Sequence, residues 1–222
     1  YIGDAIIAFY GAPVQTEDHE YLACLTCCQM NDKLEELRQK WKSEGDKWPE
    51  VVHSMRHRIG VNCGSLVTGN MGSDMRMNYT MMGDTVNLTA RLESGAKQYG
   101  IETQVGEKIY EACKDKFTFR VIDLAIVKGR SEPSKNYELI SEKGKEPEIY
   151  KELLPLWETA MELYLGQDWD DAAKAFKKCD KLEEDYIGRP TTPSKIYIVR
   201  CEEFKNNSPG KDWDGSYKLT SK

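Results

Sequence analysis

The sequence predicts an α/β (α+β) domain followed by a small α-helical hairpin region. Three observations carry that expectation. Apolar runs of strand length alternate with amphipathic stretches of helical period as far as Ile140. Strands and helices intermix without a doubly wound rhythm, and no GxGxxG or Walker A pattern is present. After Ile140 the composition shifts, and the spacing of large and small apolar residues becomes helical.

The elements follow in order. Residues 5–9 read as a buried strand, stopped by Gly11-Ala12-Pro13. Thr16 is a suitable N-cap, with Glu17 and Asp18 in the first turn, for a helix from Thr16 to Lys42 whose stripe is Leu22, Leu25, Leu34, Leu37 and Trp41. Residues 43–54 read as a polar loop and Arg56 to Asn62 as a strand. Leu66-Val67, among Gly64, Gly69 and Gly72, is a strand between tight turns, and Asn78 to Met82 is another. Gly83-Asp84 turns the chain into a helix that runs to about Gln98 and ends near Gly100. Next come a strand (Ile101 to Val105), a helix (Gly106 to Lys116) and three strands (Phe117 to Ile122, Ile126 to Lys128 and Asn136 to Ile140). Residues 141–147 are a charged linker. Trp157, Ala160 and Tyr164, then Trp169, Ala172, Ala173 and Phe176, mark two amphipathic helices broken at Gly166-Gln167-Asp168. Their spacing is tetratricopeptide-like, and one such unit cannot bury its own face. It must pack on the first domain, on Ser194 to Phe204, or on a partner.

Composition excludes several classes. The 222 residues carry 31 Lys+Arg against 37 Asp+Glu, a net charge of −6, so no basic excess exists to neutralise a nucleic-acid backbone. With 40% hydrophobic and 31% charged residues the chain is neither disordered-type nor membrane-type. The seven cysteines, an odd number, point to a reducing compartment rather than a disulfide scaffold. Cys24, Cys27 and Cys28 form a CxxCC inside a helical stretch with no second ligand pair, so they read as packing residues. His19-Glu20 has no second His, and His53 and His57 flank a strand.

Three constellations can carry chemistry. Gly3-Asp4, at the mouth of an apolar run, can face a hard cation or be an ordinary turn. Asn87 and Arg91 are four apart on the helix after Gly83, so they share a face. An amide beside a guanidinium can hold a sugar and a phosphate, or can be a solvated polar surface. Lys128, in Val127-Lys128-Gly129-Arg130, can reach a phosphate or remain a surface lysine.

Taken together, five ordered segments resemble the class III nucleotidyl cyclase catalytic domain. They are Tyr1 to Pro13, Arg58-Ile59-Gly60-Val61-Asn62-Cys63-Gly64, Gly69-Asn70-Met71-Gly72-Ser73, Tyr79 to Glu93, and Val127-Lys128-Gly129. The resemblance covers residues 1–140. It implies a ferredoxin-like palm of antiparallel strands with flanking helices, working as a head-to-tail homodimer with sites at the interface. The implied reaction converts ATP to 3′,5′-cyclic AMP and pyrophosphate by in-line attack of the 3′-hydroxyl on the α-phosphorus, with two Mg²⁺ or Mn²⁺ ions per site. By position, Asp4 resembles the second metal-binding carboxylate, Asn87 the ribose-orienting residue and Arg91 the transition-state arginine. Lys128 resembles the lysine on the terminal phosphates. Thr80 sits where the family reads the adenine edge, and Gly3 is grouped with Thr80 and Lys128 as nucleotide-binding. A Thr hydroxyl can accept from the adenine amino group or donate to N1, which favours ATP over GTP.

The family's first metal-binding Asp and its base-reading Lys lie before the position of Tyr1. The expectation is therefore that this stretch alone is inactive and that a longer parent, with an upstream sensor or membrane domain, is active in the cytoplasm. The tail resembles that of bacterial-type cyclases, through Trp169 to Phe176, Arg200-Cys201-Glu202 and Trp213-Asp214-Gly215. The expected organisation is a catalytic domain over 1–140, a linker over 141–147 and a helical tail over 148–222. Alternatives are a non-catalytic regulatory or dimerisation module of cyclase homology, a guanylate cyclase, or an interaction module working through the tail.

Overall fold

A computed structural model describes residues 3–126, 134–184 and 188–218 of the chain. In chain order the elements are α1 (His19–Ser43), α2 (Glu50–His53), β1 (Ile59–Val61), β2 (Val67–Ser73), β3 (Arg76–Met82), α3 (Asp84–Tyr99), β4 (Thr103–Gly106), α4 (Glu107–Cys113), β5 (Phe117–Ile126), β6 (Ser134–Glu142), α5 (Glu148–Leu165), α6 (Trp169–Asp180), α7 (Pro193–Asn206) and β7 (Tyr217–Lys218). Five strands form one mixed sheet in the order β1-β4-β6-β5-β7, and β2 and β3 form a separate antiparallel hairpin. The β1–β4 and β5–β7 pairs are parallel, whereas β6 is antiparallel to both its neighbours. This is the α+β class expected from the sequence.

Three apolar clusters hold it. In α1, Cys24, Cys27 and Cys28 recur at i, i+3 and i+4 and pack with Val61, Val105, Ile109, Cys113, Phe117, Tyr137 and Leu139. Burial pushes the Cys27 thiol up to about 12 and the Cys28 thiol to about 11, so both stay protonated, as packing residues do. A second cluster joins Ala96, Tyr99, Ile101 and Ile122 with Ile196 of α7. The third lies among α5, α6 and α7, around Leu153, Trp157, Tyr164, Phe176 and Tyr197, and reaches Val121 of β5. The tail therefore buries its apolar face on α7 and on the sheet. Among the described residues no helix is long and apolar enough to cross a membrane.

The structure corrects several local expectations. Residues 5–9 form no strand: only Ala5 makes a bridge, and Ile6 and Ile7 are exposed. An apolar run becomes a strand only where a neighbour takes its hydrogen bonds, and among the described residues this segment has little beyond a ring contact of Phe9 with Tyr79 at 6.1 Å. Thr16 does not cap α1, because its hydroxyl donates to Val14 O and the helix starts after Asp18, which has left-handed backbone. The expected loop over 43–54 contains a 3-10 turn (Gly45–Lys47) and α2, with Trp48 folded onto Trp41 at 6.0 Å. The strand expected over Phe117 to Ile122 runs on to Ile126 as β5, with a bulge in its register between Val121 and Asp123, and the strand expected over Ile126 to Lys128 lies, beyond Ile126, outside the described residues. An Asp is disfavoured inside a strand; here a buried arginine neutralises it. Lys128, with Gly129 and Arg130, lies outside the described residues.

Candidate active site

The helix that carries the candidate residues is seated by its inner face. Leu92, Ala96 and Tyr99 of α3 are buried, and Gly100 ends the helix in left-handed conformation, as the sequence predicts. The outer face presents Asn87 and Arg91, both exposed. Leu88, which precedes Leu92 by one turn, is only half-buried.

Contacts from β1 and from the segment after it fix α3 in place. A Cβ at Gly60 would lie 2.4 Å from both Glu93 N and Thr89 O, so helix and strand backbones touch there. One turn toward the start of α3, Thr85 Oγ1 donates to Ser65 O at 2.8 Å, and Asn62 Nδ2 donates to Thr85 O at 3.4 Å. On the flank, Arg58 Nε donates to Glu93 Oε1 at 3.1 Å. Gly60→Ala should force α3 off the sheet. The expected cost is about 3 kcal/mol, a fall of roughly 6–12 °C in Tm read by thermal denaturation, and an unchanged Tm would contradict this seating.

Thr80 is half-buried on β3, in register with Gly69 of β2, where a Cβ would meet nothing within 4 Å. Only the Gly83 connection separates β3 from α3, so Thr80, Asn87 and Arg91 belong to one strand–turn–helix unit. The order of charge and hydrogen-bonding groups along it suits a base, a sugar and a phosphate in turn. Gly3 and Asp4 form an exposed turn. That segment is tied to the unit through Phe9 against Tyr79, the residue before Thr80.

An exposed carboxylate is a hard oxygen donor, the type that holds Mg²⁺ together with nucleotide phosphates and water. Asp4 fits that role by donor chemistry. Among the described residues one group of three metal-ligating side chains comes together elsewhere: His19, Glu20 and Cys63, with ligand atoms within 4.8 Å. Internal bonds satisfy it. Glu20 pairs with His19 at 3.1 Å and accepts from Cys63 Sγ at 3.2 Å, and burial with the Glu20 contact pushes the Cys63 thiol up to about 11.

Sequence reasoning missed what holds the far end of α3. Tyr99 donates to Asp123, which also receives Arg200 of α7. The only signal was an acidic residue inside an apolar run.

Comparison with known proteins agrees with this architecture. Residues 1–141 match the family Adenylate and Guanylate cyclase catalytic domain. Adenylate cyclase 1 of Rhizobium meliloti (strain 1021) is 35% identical over 138 residues, which cover 62% of this chain and 20% of that protein. The terminal-differentiation-specific adenylate cyclase of Dictyostelium discoideum is 31% identical over 152 residues, 67% of this chain and 7% of that one. The chain thus spans a fifth or less of the length of these two relatives. Among solved structures, the adenylyl cyclase CyaB from P. aeruginosa superposes with a TM-score of 0.52 at 28% identity, covering 62% of this chain and 68% of that one. With a family match over well more than half its length, on a fold shared with a solved cyclase, this chain belongs to the adenylate and guanylate cyclase catalytic-domain family.

Proposed function

We propose that the chain is the catalytic part of an adenylate cyclase that converts ATP to 3′,5′-cyclic AMP and pyrophosphate. The observation that carries this reading is the outward face of α3. Asn87 and Arg91 stand one turn apart and exposed, on the helix that directly follows the strand of Thr80 and whose opposite face is locked to β1. The matched relatives named above, and the solved structure, are adenylate cyclases by name.

In this reading the Thr80 hydroxyl meets the adenine edge and Asn87 orients the ribose. That orientation brings the 3′-oxygen in line with the α-phosphorus. The new bond is 3′-O to α-phosphorus. The bond that breaks joins α-phosphorus to the pyrophosphate oxygen, and the 3′-hydroxyl proton is released. Arg91 spreads its guanidinium over the α-phosphate oxygens, where negative charge concentrates as the bonds exchange. Lys128 would hold the terminal phosphates. Asp4 would hold a Mg²⁺ or Mn²⁺ ion, which when bound neutralises phosphate charge and lowers the pKa of the attacking hydroxyl. Because the whole chain is acidic, at −6, binding of a polyanion depends on these few placed cations.

We assign the second copy of a homodimer to the β2–β3 hairpin. Val67, Met75, Met77 and Met82 are 59–97% exposed there, an apolar surface that a monomer rarely leaves open.

The test is product formation by the full-length protein with Mn²⁺ and either ATP or GTP. Cyclic AMP is the expected product, with ATP preferred. Thr80→Glu should shift the ATP/GTP ratio. Absence of any cyclic nucleotide would sink the reading, and an unmoved ratio would remove Thr80 from base recognition.

A further inference from the structure

The buried carboxylate of Asp123 is where three parts of the chain meet. It lies in β5 just after the bulge: Val121 pairs with Tyr137 and Asp123 with Asn136, which leaves Ile122 out of the β6 register. The C-terminal helices take up the carbonyls at that point. Tyr197 Oη of α7 donates to Ile122 O at 2.8 Å, and Trp157 Nε1 of α5 donates to Val121 O at 2.8 Å. Arg200 of α7 then forks onto Asp123, Nη1 to Oδ1 at 2.9 Å and Nη2 to Oδ2 at 2.8 Å. Its guanidinium lies 4.0 Å from the Tyr217 ring centre and 5.0 Å from that of Tyr197. Oδ2 also accepts from Tyr99, the last residue of α3. Tyr99, Asp123, Tyr197 and Arg200 are each 3% exposed or less.

The same stretch of tail grips α3 twice more. Arg189 Nε donates to Gly100 O at 2.9 Å, and a Cβ at Gly100 would lie 1.9 Å from Thr191 O. Ile196 packs on the cluster of Ala96, Tyr99, Ile101 and Ile122. The C-terminal end of α3 is thus held by polar, backbone and apolar contacts from residues 189–200.

A buried ion pair is weak evidence of a stability device, because apolar residues of similar volume would hold the elements together as well. What the fork adds is direction: one guanidinium orientation and one carboxylate orientation, passed to one tyrosine. Helix α3 is a continuous rod, and Arg91 lies two turns, roughly 12 Å, from Tyr99. A tilt at Tyr99 therefore displaces Arg91, and a misplacement of about 1 Å at a reacting centre can cost roughly 10²-fold in rate.

We propose that the C-terminal helices position the nucleotide site: Arg200, through Asp123 and Tyr99, sets where α3 holds Arg91. Tyr99 and Arg200 are then positioning residues for cyclisation, an inference that rests on the cyclase reading of Arg91. The experiment uses Tyr99→Phe and Arg200→Lys in the full-length protein with ATP and Mn²⁺. Each variant should lower kcat by roughly tenfold or more, with KM for ATP near the parent value. In an Arg91→Ala background, Tyr99→Phe should cost nothing further, because the two act as one unit. A kcat per folded molecule equal to the parent's, or a loss that persists undiminished without Arg91, would overturn the proposal. If the parent makes no cyclic nucleotide the cyclase reading fails, and if Arg91→Ala is silent Arg91 is not in the site; in either case amide hydrogen exchange decides the positioning claim instead. Tyr99→Phe should then speed exchange in the last two turns of α3 and leave α4 unchanged. Equal protection of α3 in variant and parent would overturn it.

Discussion

On the proposed adenylate cyclase reading, Arg91→Ala should lower the rate of cyclic AMP formation by the full-length protein by about 10²–10³-fold, the range for removing one charge-stabilising donor from a transition state. KM for ATP should stay near the parent value, because in that reading the lost interaction strengthens only as the α-phosphate accumulates charge. Arg91 is exposed on α3 while the buried face carries Leu92, Ala96 and Tyr99, so truncation leaves the core intact and the loss is not one of folding. Arg91→Lys should recover only part of the rate, since an ammonium keeps the charge and loses the planar fork. Initial-rate kinetics on folded protein measure both. An unchanged kcat in the alanine variant would take Arg91 out of the site.

Arg120→Ala has the largest expected effect on stability. Arg120 of β5 donates from Nε to Glu138 Oε2 at 2.8 Å and from Nη1 to Glu183 Oε1 at 2.6 Å. The second oxygen of Glu183 accepts from Ser194 N at 3.1 Å, and the guanidinium lies 4.7 Å from the Trp157 ring centre. All three charged side chains are buried. Burial alone works against the charge on Arg120, and the two carboxylates more than offset it, so the guanidinium is held protonated. Removing it leaves two carboxylates in the interior with no cation between them. The expected loss is about 3–5 kcal/mol, a fall of roughly 6–20 °C in Tm. Thermal denaturation of the chain measures it. Replacing Arg120, Glu138 and Glu183 together by apolar residues of similar volume should restore most of the loss, because the cost comes from unpaired charge rather than from lost packing. If the single alanine variant melts within a degree or two of the parent, the triad is not holding the tail to the sheet.

Much of the fold was legible because local signals agreed with one another. The stretch from Gly83 to Gly100 combines a turn, an amphipathic period and a left-handed C-cap, and the helix spans Asp84–Tyr99. The break between α5 and α6 was equally clear at Gly166-Gln167-Asp168, where Gln167 adopts positive φ. Within the candidate site, Asn87 and Arg91 share a face by helical period alone. Other features were hidden because they depend on partners distant in sequence. The apolar residues 5–9 have strand composition but no ladder among the described residues. Gly60 was quoted only as one letter of a motif; its role as the point where α3 touches β1 requires knowing that the two pack together.

Sequence alone determined the class of fold, the helix that carries the candidate residues, and which of its faces is polar. The helix and its polar face follow from periodicity and turn chemistry over fewer than twenty residues, and the class follows from how such stretches alternate along the chain. Tertiary structure decided how the C-terminal helices relate to the rest. Asp123 meets Arg200, and Arg120 meets Glu183, across separations of 77 and 63 residues. No local pattern encodes such a meeting. Unpaired, the Asp123 carboxylate could not be buried. In the fold it is paired, so the strand runs through it, and what looked like an appendage is bolted to the end of α3.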